Sequence, residues 1–94
     1  MKLNDYFASS GALTVAELRD RIGVSSDAQI RQWQHGYANR QPSPEYAVAI
    51  ERETGGAVSR WDLRPSDWHL IWPELIGKKG APRIKAGAVR AQAG

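Results

Sequence analysis

Two short apolar patterns separated by a glycine most strongly limit how this chain can fold. The residues that define them are Leu18, Ile22, Gly23, Ile30, Trp33 and Gly36. Leu18 and Ile22 lie four residues apart and share one face of a helix, and Gly23 suits the left-handed position that follows this helix. Ile30 and Trp33 define the inward face of a second helix, which ends at Gly36. This is the skeleton of a helix-turn-helix, whose second helix typically enters the major groove of DNA.

Capping signals indicate where both helices begin. Thr14 and Glu17 stand three residues apart, as in a capping box, and predict a helix over Val15–Ile22. Ser26 precedes a second, box-like start. Two roles stay open for Gln29, because its side chain either completes that second box or contacts DNA.

Other segments predict short helices as well, and no strand pattern competes with them. They are Leu3–Ser9, Glu45–Thr54, the single turn Arg60–Leu63, and a last turn or two beginning at Ser66 or Asp67. Gly11 breaks the first of them and Gly55-Gly56 ends the second. Pro65 separates the last two, because the residue before a proline is disfavoured in helical geometry. The chain is therefore expected to be all-α.

The charges divide the chain into two parts. The net charge is +3, but five of the 13 basic residues follow Gly77, where no acidic residue occurs. Residues 1–76 consequently carry a net charge of −2 and are expected to form the folded domain, whereas residues 77–94 are predicted to be a flexible basic tail. Such a tail is either a solubilising extension or a source of weak nonspecific DNA affinity.

Composition also argues against several classes of protein. The chain has no cysteine, and it has neither an apolar leader nor an apolar run long enough to span a bilayer. His35 and His69 are far apart and have no neighbours at the spacing of metal ligands. We therefore expect a cytoplasmic protein that is not an enzyme, without catalytic residues, metal, cofactor or small-molecule substrate.

The outward positions of the second helix and the loop after it carry side chains that can hydrogen-bond to DNA. Arg31, Gln32, Gln34 and His35 are expected to point away from the core, and Gln32 can pair with both N6 and N7 of adenine. The candidate DNA-binding residues are Ser26, Asp27, Ala28, Gln29, Arg31, Gln32, His35, Tyr37 and Arg40. Phosphate contacts are expected from Arg31, His35 and the loop, although a merely solvated loop stays an alternative.

Asp27 has two open interpretations, and the motif has two irregularities. The Asp27 carboxylate either accepts from a cytosine amino group or simply favours the positive end of the helix dipole. Arg19 occupies a position where a small residue usually lets the two helices cross. The segment from Gly23 to Ile30 is also one residue longer than usual, which is expected to shift the start of the second helix.

A cluster of large apolar side chains near the C-terminal end of the domain has two open interpretations. The residues concerned are Trp61, Trp68, Ile71, Trp72 and Leu75. They either complete a small core or form a self-complementary patch through which two copies associate.

Three segments resemble a known family. The stretch Glu51–Trp68, the following Ile71–Leu75 and the opening Leu3–Phe7 are similar to the YdaS-type, Cro-like regulators of prophages and bacteria. The likeness covers roughly residues 1–76. It implies a small five-helix DNA-binding domain of the lambda-repressor-like class, in proteins that regulate transcription or, in some cases, are components of toxin–antitoxin pairs. It also implies that Gln32 reads a base and that His35 touches phosphate.

Residue pattern and resemblance together predict a Cro-like repressor that binds double-stranded operator DNA as a homodimer. The alternative is a protein-interaction module of the antitoxin or anti-repressor type, which uses the helix-turn-helix only as a scaffold. The net charge of −2 on residues 1–76 favours this alternative.

Overall fold

The computed structural model describes residues 1–84, and these form a wholly helical fold. The α-helices are α1 (Leu3–Phe7), α2 (Val15–Ile22), α3 (Asp27–His35), α4 (Pro44–Glu53), α5 (Arg60–Leu63) and α6 (Trp68–Ile71), and 3-10 turns lie at Tyr37–Asn39 and Pro73–Leu75. The predicted all-α class is confirmed. Within the described part of the chain, no helix is long and apolar enough to cross a membrane.

The described residues hold six α-helices, whereas the resemblance implied five. Among them, α5 and α6 are single turns with Pro65 between them, as the sequence predicted. Arg64, which precedes this proline, leaves helical geometry with φ −130° and ψ 68°.

Capping interactions set the ends of α2 and the start of α3. The Glu17 amide donates to Thr14 Oγ1 at 3.1 Å and the Thr14 amide donates to Glu17 Oε1 at 2.9 Å, which confirms the predicted capping box. Gly23 ends α2 in the left-handed conformation at φ 79°. Ser26 Oγ accepts a longer bond, 3.4 Å, from the Gln29 amide at the start of α3.

The core forms where α2, α3 and α4 converge. Leu18, Ile30 and Ile50, one from each helix, are fully buried, and Val58 joins them from the segment before α5. Burying each such side chain stabilises the fold by about 1.5–3 kcal/mol. The two helices of the helix-turn-helix are therefore held by the centre of the core.

Packing continues beyond the predicted domain boundary at Gly77. Ala81 and Ile84 are partly buried against the core, and the Gly80 Cα faces the ring of Trp61. The packed chain thus extends at least to Ile84. The rest of the predicted flexible basic tail, residues 85–94, lies outside the described residues.

Candidate nucleic-acid interface

The inward side of α3 is fixed by two residues. Ile30 is fully buried, and the ring of Trp33 lies 5.5 Å from that of Tyr46 on α4. Gly36 ends the helix at φ 67°. Because these contacts fix the rotation of α3 about its axis, they also decide which side chains point outward.

An exposed stripe runs along the opposite side of α3. Ala28, Arg31 and His35 are exposed, and Gln32 is partly exposed beside them. Positions three and four residues apart are neighbours on a helix surface, so these side chains form one continuous row. Within the described chain, neither the Arg31 nor the Gln32 side chain has a hydrogen bond or ion pair, which leaves both polar groups open to a ligand.

Gln34 is partly exposed, as the sequence predicted, but its side chain is engaged by another helix of the chain. Its Nε2 donates to Asn4 Oδ1 at 3.0 Å, and this bond connects α3 to α1. The sequence placed Gln34 away from the core, but it could not show that α1 covers that side of the helix.

Asp27 lies in the first turn of α3, where the helix dipole favours an acid, and its carboxylate also forms an ion pair that neither interpretation included. Arg19 Nη1 donates to Asp27 Oδ1 at 2.8 Å, and Nε and Nη2 of the same guanidinium donate to Asp20 Oδ1 at 3.0 and 2.9 Å. The hydrogen bond to Asp20, followed by the charges of Asp20 and Asp27, raises the pKa of Arg19. The Asp27 carboxylate is therefore already bound by a cation of this chain.

Ser26 and Gln29 lie beside this turn. Ser26 Oγ serves as the helix cap, while the partly exposed Gln29 side chain closes no capping box within the described residues. The structure therefore does not show the Gln29 side chain completing a capping box, which is one of the two roles left open for it.

Most arginines of residues 1–76 are neutralised by acidic side chains. The ion pairs are Arg19 with Asp20 and Asp27, Arg21 and Arg52 with Glu53, Arg60 with Glu51, and Arg64 with Asp67. The basic side chains of residues 1–76 without an ion-pair partner in the described structure are Lys2, Arg31 and Arg40. The free positive charge is thus concentrated on α3, on the loop after it and on the start of α1.

A groove with both polar and apolar walls, to which Asp62 also contributes, lies at the C-terminal end of α3. Lys2 and Arg40 line it together with His35 and Asn39, and its volume is about 690 Å³. The ring of His35 lies 5.3 Å from that of the exposed Tyr37. Sequence reasoning selected His35, Tyr37 and Arg40 but missed Lys2, because nothing in the local sequence shows that the start of α1 reaches this end of α3.

The predicted self-association residues lie mostly inside the protomer. Trp68, Trp72 and Leu75 are 3%, 9% and 8% exposed and belong to the core, and the Arg60 guanidinium carbon lies 5.3 Å from the centre of the Trp72 ring. Trp61 and Ile71 are half-buried against the same core. This cluster therefore forms part of the core of the protomer, and homodimer formation stays a prediction.

The fold and this surface define a small helix-turn-helix domain whose second helix, α3, has a polar, locally cationic outward side. A family model described as "Bacterial toxin YdaS" matches residues 8–71, which is more than half of the chain. The chain belongs to this family, and the resemblance inferred from sequence is confirmed. The matched range leaves out Leu3–Phe7 and the residues from Trp72 onward. No curated protein matches the chain.

Proposed function

We propose that the protein is a sequence-specific, DNA-binding transcriptional regulator of the Cro-like repressor type, and that it is not an enzyme. The observation that carries this proposal is the distribution of free positive charge. Arg31 and Arg40 lack acidic partners and flank Gln32 and His35, while the arginines elsewhere in residues 1–76 are paired. A surface of this kind matches a polyanion that presents base edges between two rows of phosphates.

In the proposed complex, α3 lies in the major groove. Gln32 makes the base-specific contact, and Arg31, His35 and Arg40 hold the backbone. A homodimer would place two copies of α3 in successive major grooves, roughly 34 Å apart, and would block a promoter by occupying it. Because Asp27 is engaged by Arg19, the base contacts are assigned to the middle of α3 rather than to its first residue.

The decisive experiment is selection of bound sites from random duplexes, followed by titration at several salt concentrations. Gln32→Ala should weaken binding to the selected site by about 1–3 kcal/mol and change binding to random DNA little. Arg31→Ala is the matched comparison, since it should weaken binding to both duplexes equally and lower the salt slope by about one. Equal losses for Gln32→Ala on both duplexes would show that Gln32 is not a base contact.

A protein-interaction module related to a toxin–antitoxin pair is the second candidate. The description of the family as a toxin and the net charge of −2 on residues 1–76 favour it. The same titration separates the two candidates, because binding through phosphate contacts weakens steeply as salt rises. A chain that selects no duplex at low salt would favour the protein-interaction module.

A further inference from the structure

We infer that the Arg19–Asp27 bridge sets the position of the first turn of α3, so that Asp27 orients the DNA-reading helix instead of contacting a base. The inference rests on the proposed function. It assigns a positioning role to Asp27, which the sequence suggested as a base contact, and to Arg19, which is an irregularity of the motif.

Arg19 acts on the turn through its backbone as well as its side chain. Its carbonyl oxygen accepts from the amides of Gly23 at 3.0 Å and Val24 at 3.1 Å, which closes the C-terminal end of α2. Its guanidinium is held by Asp20 on the same helix and reaches Asp27 with the remaining Nη1. A single residue therefore connects the end of α2, the turn and the start of α3.

Few other contacts restrain this start of α3. Val24 and Ile30 are buried, but no side chain between them is, and the turn contains one residue more than is usual. The cap at Ser26 is a long bond of 3.4 Å. The Arg19–Asp27 bond, at 2.8 Å, is the shorter of the two side-chain restraints on this turn. A small residue at position 19 would leave the lengthened turn without this bond.

Charge supports the same role. An unpaired carboxylate at position 27 would oppose the approach of phosphates to the outward face of α3, and pairing with Arg19 offsets that repulsion. Because Arg19 is used in this way, it adds no free positive charge to the surface. The bridge therefore fixes the position of the first turn of α3 and reduces the repulsion of phosphates by Asp27, but it adds no phosphate contact.

The test compares two substitutions that remove the same charge. Asp27→Asn weakens the link between α2 and α3, whereas Asp20→Asn removes an Arg19 partner within α2 and leaves the link in place. Asp27→Asn and Arg19→Gln should each lower the preference for the selected duplex over random DNA by up to about fivefold, as expected for a partly exposed ion pair. Together they should have no larger effect than either alone. Asp20→Asn, which keeps the bond between Arg19 and Asp27, should lower the preference less than either of them.

Two results would overturn the inference. If Asp27→Asn changes the preference at one base pair and Arg19→Gln does not, Asp27 is a direct base contact. If the two Asp→Asn variants strengthen binding to both duplexes by one common factor and Arg19→Gln weakens binding to both, only net charge matters.

Hydrogen exchange of the free protein separates failure of this inference from failure of the proposed function. The amides of residues 28–31 should exchange up to about fivefold faster in Asp27→Asn and Arg19→Gln than in Asp20→Asn. This measurement needs no DNA, so it decides the positioning role even if the wild-type protein selects no duplex. Equal exchange in all three variants would refute the bridge.

Discussion

Replacement of Gly23 by alanine tests the turn on which the helix-turn-helix depends. Gly23 has φ 79° and ψ 24°, and a Cβ built at this position meets no atom within 4 Å. A side chain here therefore causes no collision, and the cost comes from the left-handed backbone alone. For a residue with a Cβ, that cost is about 1–2 kcal/mol.

The expected loss is large enough to measure in a domain of this size. A loss of 1 kcal/mol lowers the melting temperature of a 60–100-residue domain by about 4–8 °C, so Gly23→Ala should lower it by roughly 4–16 °C. Urea unfolding should show a lower midpoint with an unchanged slope, because the surface exposed on unfolding stays the same.

Gly23→Asn is the matched control, since asparagine tolerates the left-handed conformation better than alanine does. It should lose clearly less stability than Gly23→Ala. A Gly23→Ala variant as stable as wild type would refute a left-handed turn at this residue. A loss above about 4 kcal/mol would instead require a collision that the structure does not contain.

Three further substitutions test the core, a helix cap and a loop contact. Ile30→Ala should cost about 2–5 kcal/mol in urea unfolding, because the side chain is fully buried, whereas Val48→Ala, 41% exposed in the wild type, should change stability by less than about 0.5 kcal/mol. The backbone and hydroxyl hydrogen bonds of Thr14 lower the pKa of Glu17, so its stabilising effect is complete above its ordinary value of 4.5 and disappears as the pH falls through the lowered pKa. Glu17→Gln should therefore flatten the stability profile in this acidic range, and an unchanged profile would contradict the assignment. Arg64→Ala should cost about 1–3 kcal/mol, since it removes both the 2.6 Å bond to the Pro42 carbonyl of the α3–α4 loop and the pair with Asp67, and full stability would show that water replaces these bonds.

The parts of the fold that depend on neighbouring residues could be predicted from the sequence. The Thr14–Glu17 box and the glycine after α2 gave that helix the bounds that the structure shows, and the spacing of Ile30 and Trp33 gave the inward face of α3. Each of these signals acts within one or two helical turns. They are visible in the sequence because the interacting groups are adjacent along the chain.

The parts that depend on distant residues could not be predicted. Nothing in the sequence shows that Asn4 binds Gln34 across 30 positions or that Lys2 lines the groove at the end of α3. Whether Trp68 lies in the core or on a dimer surface was equally undecided, because an apolar pattern shows that a side chain is buried without showing what covers it. Tertiary packing determines each of these outcomes.

Pairing of charges inside the domain explains why a net charge of −2 is compatible with DNA binding. Five of the ten acids of residues 1–76 bind arginines, among them Glu51, Glu53 and Asp67 away from the α3 stripe. Arg31, Arg40 and Lys2 have no ion-pair partner in the described structure and lie in or beside the stripe. Each phosphate contact contributes about −0.9 to the slope of log affinity against log salt. Residues 1–76 thus account for roughly three such contacts per protomer, or a slope near −3. A slope twice as steep per protomer would place further phosphate contacts on the basic residues after Gly77. Replacing those lysines and arginines by glutamine, which keeps the segment that packs up to Ile84, should then restore the shallower value.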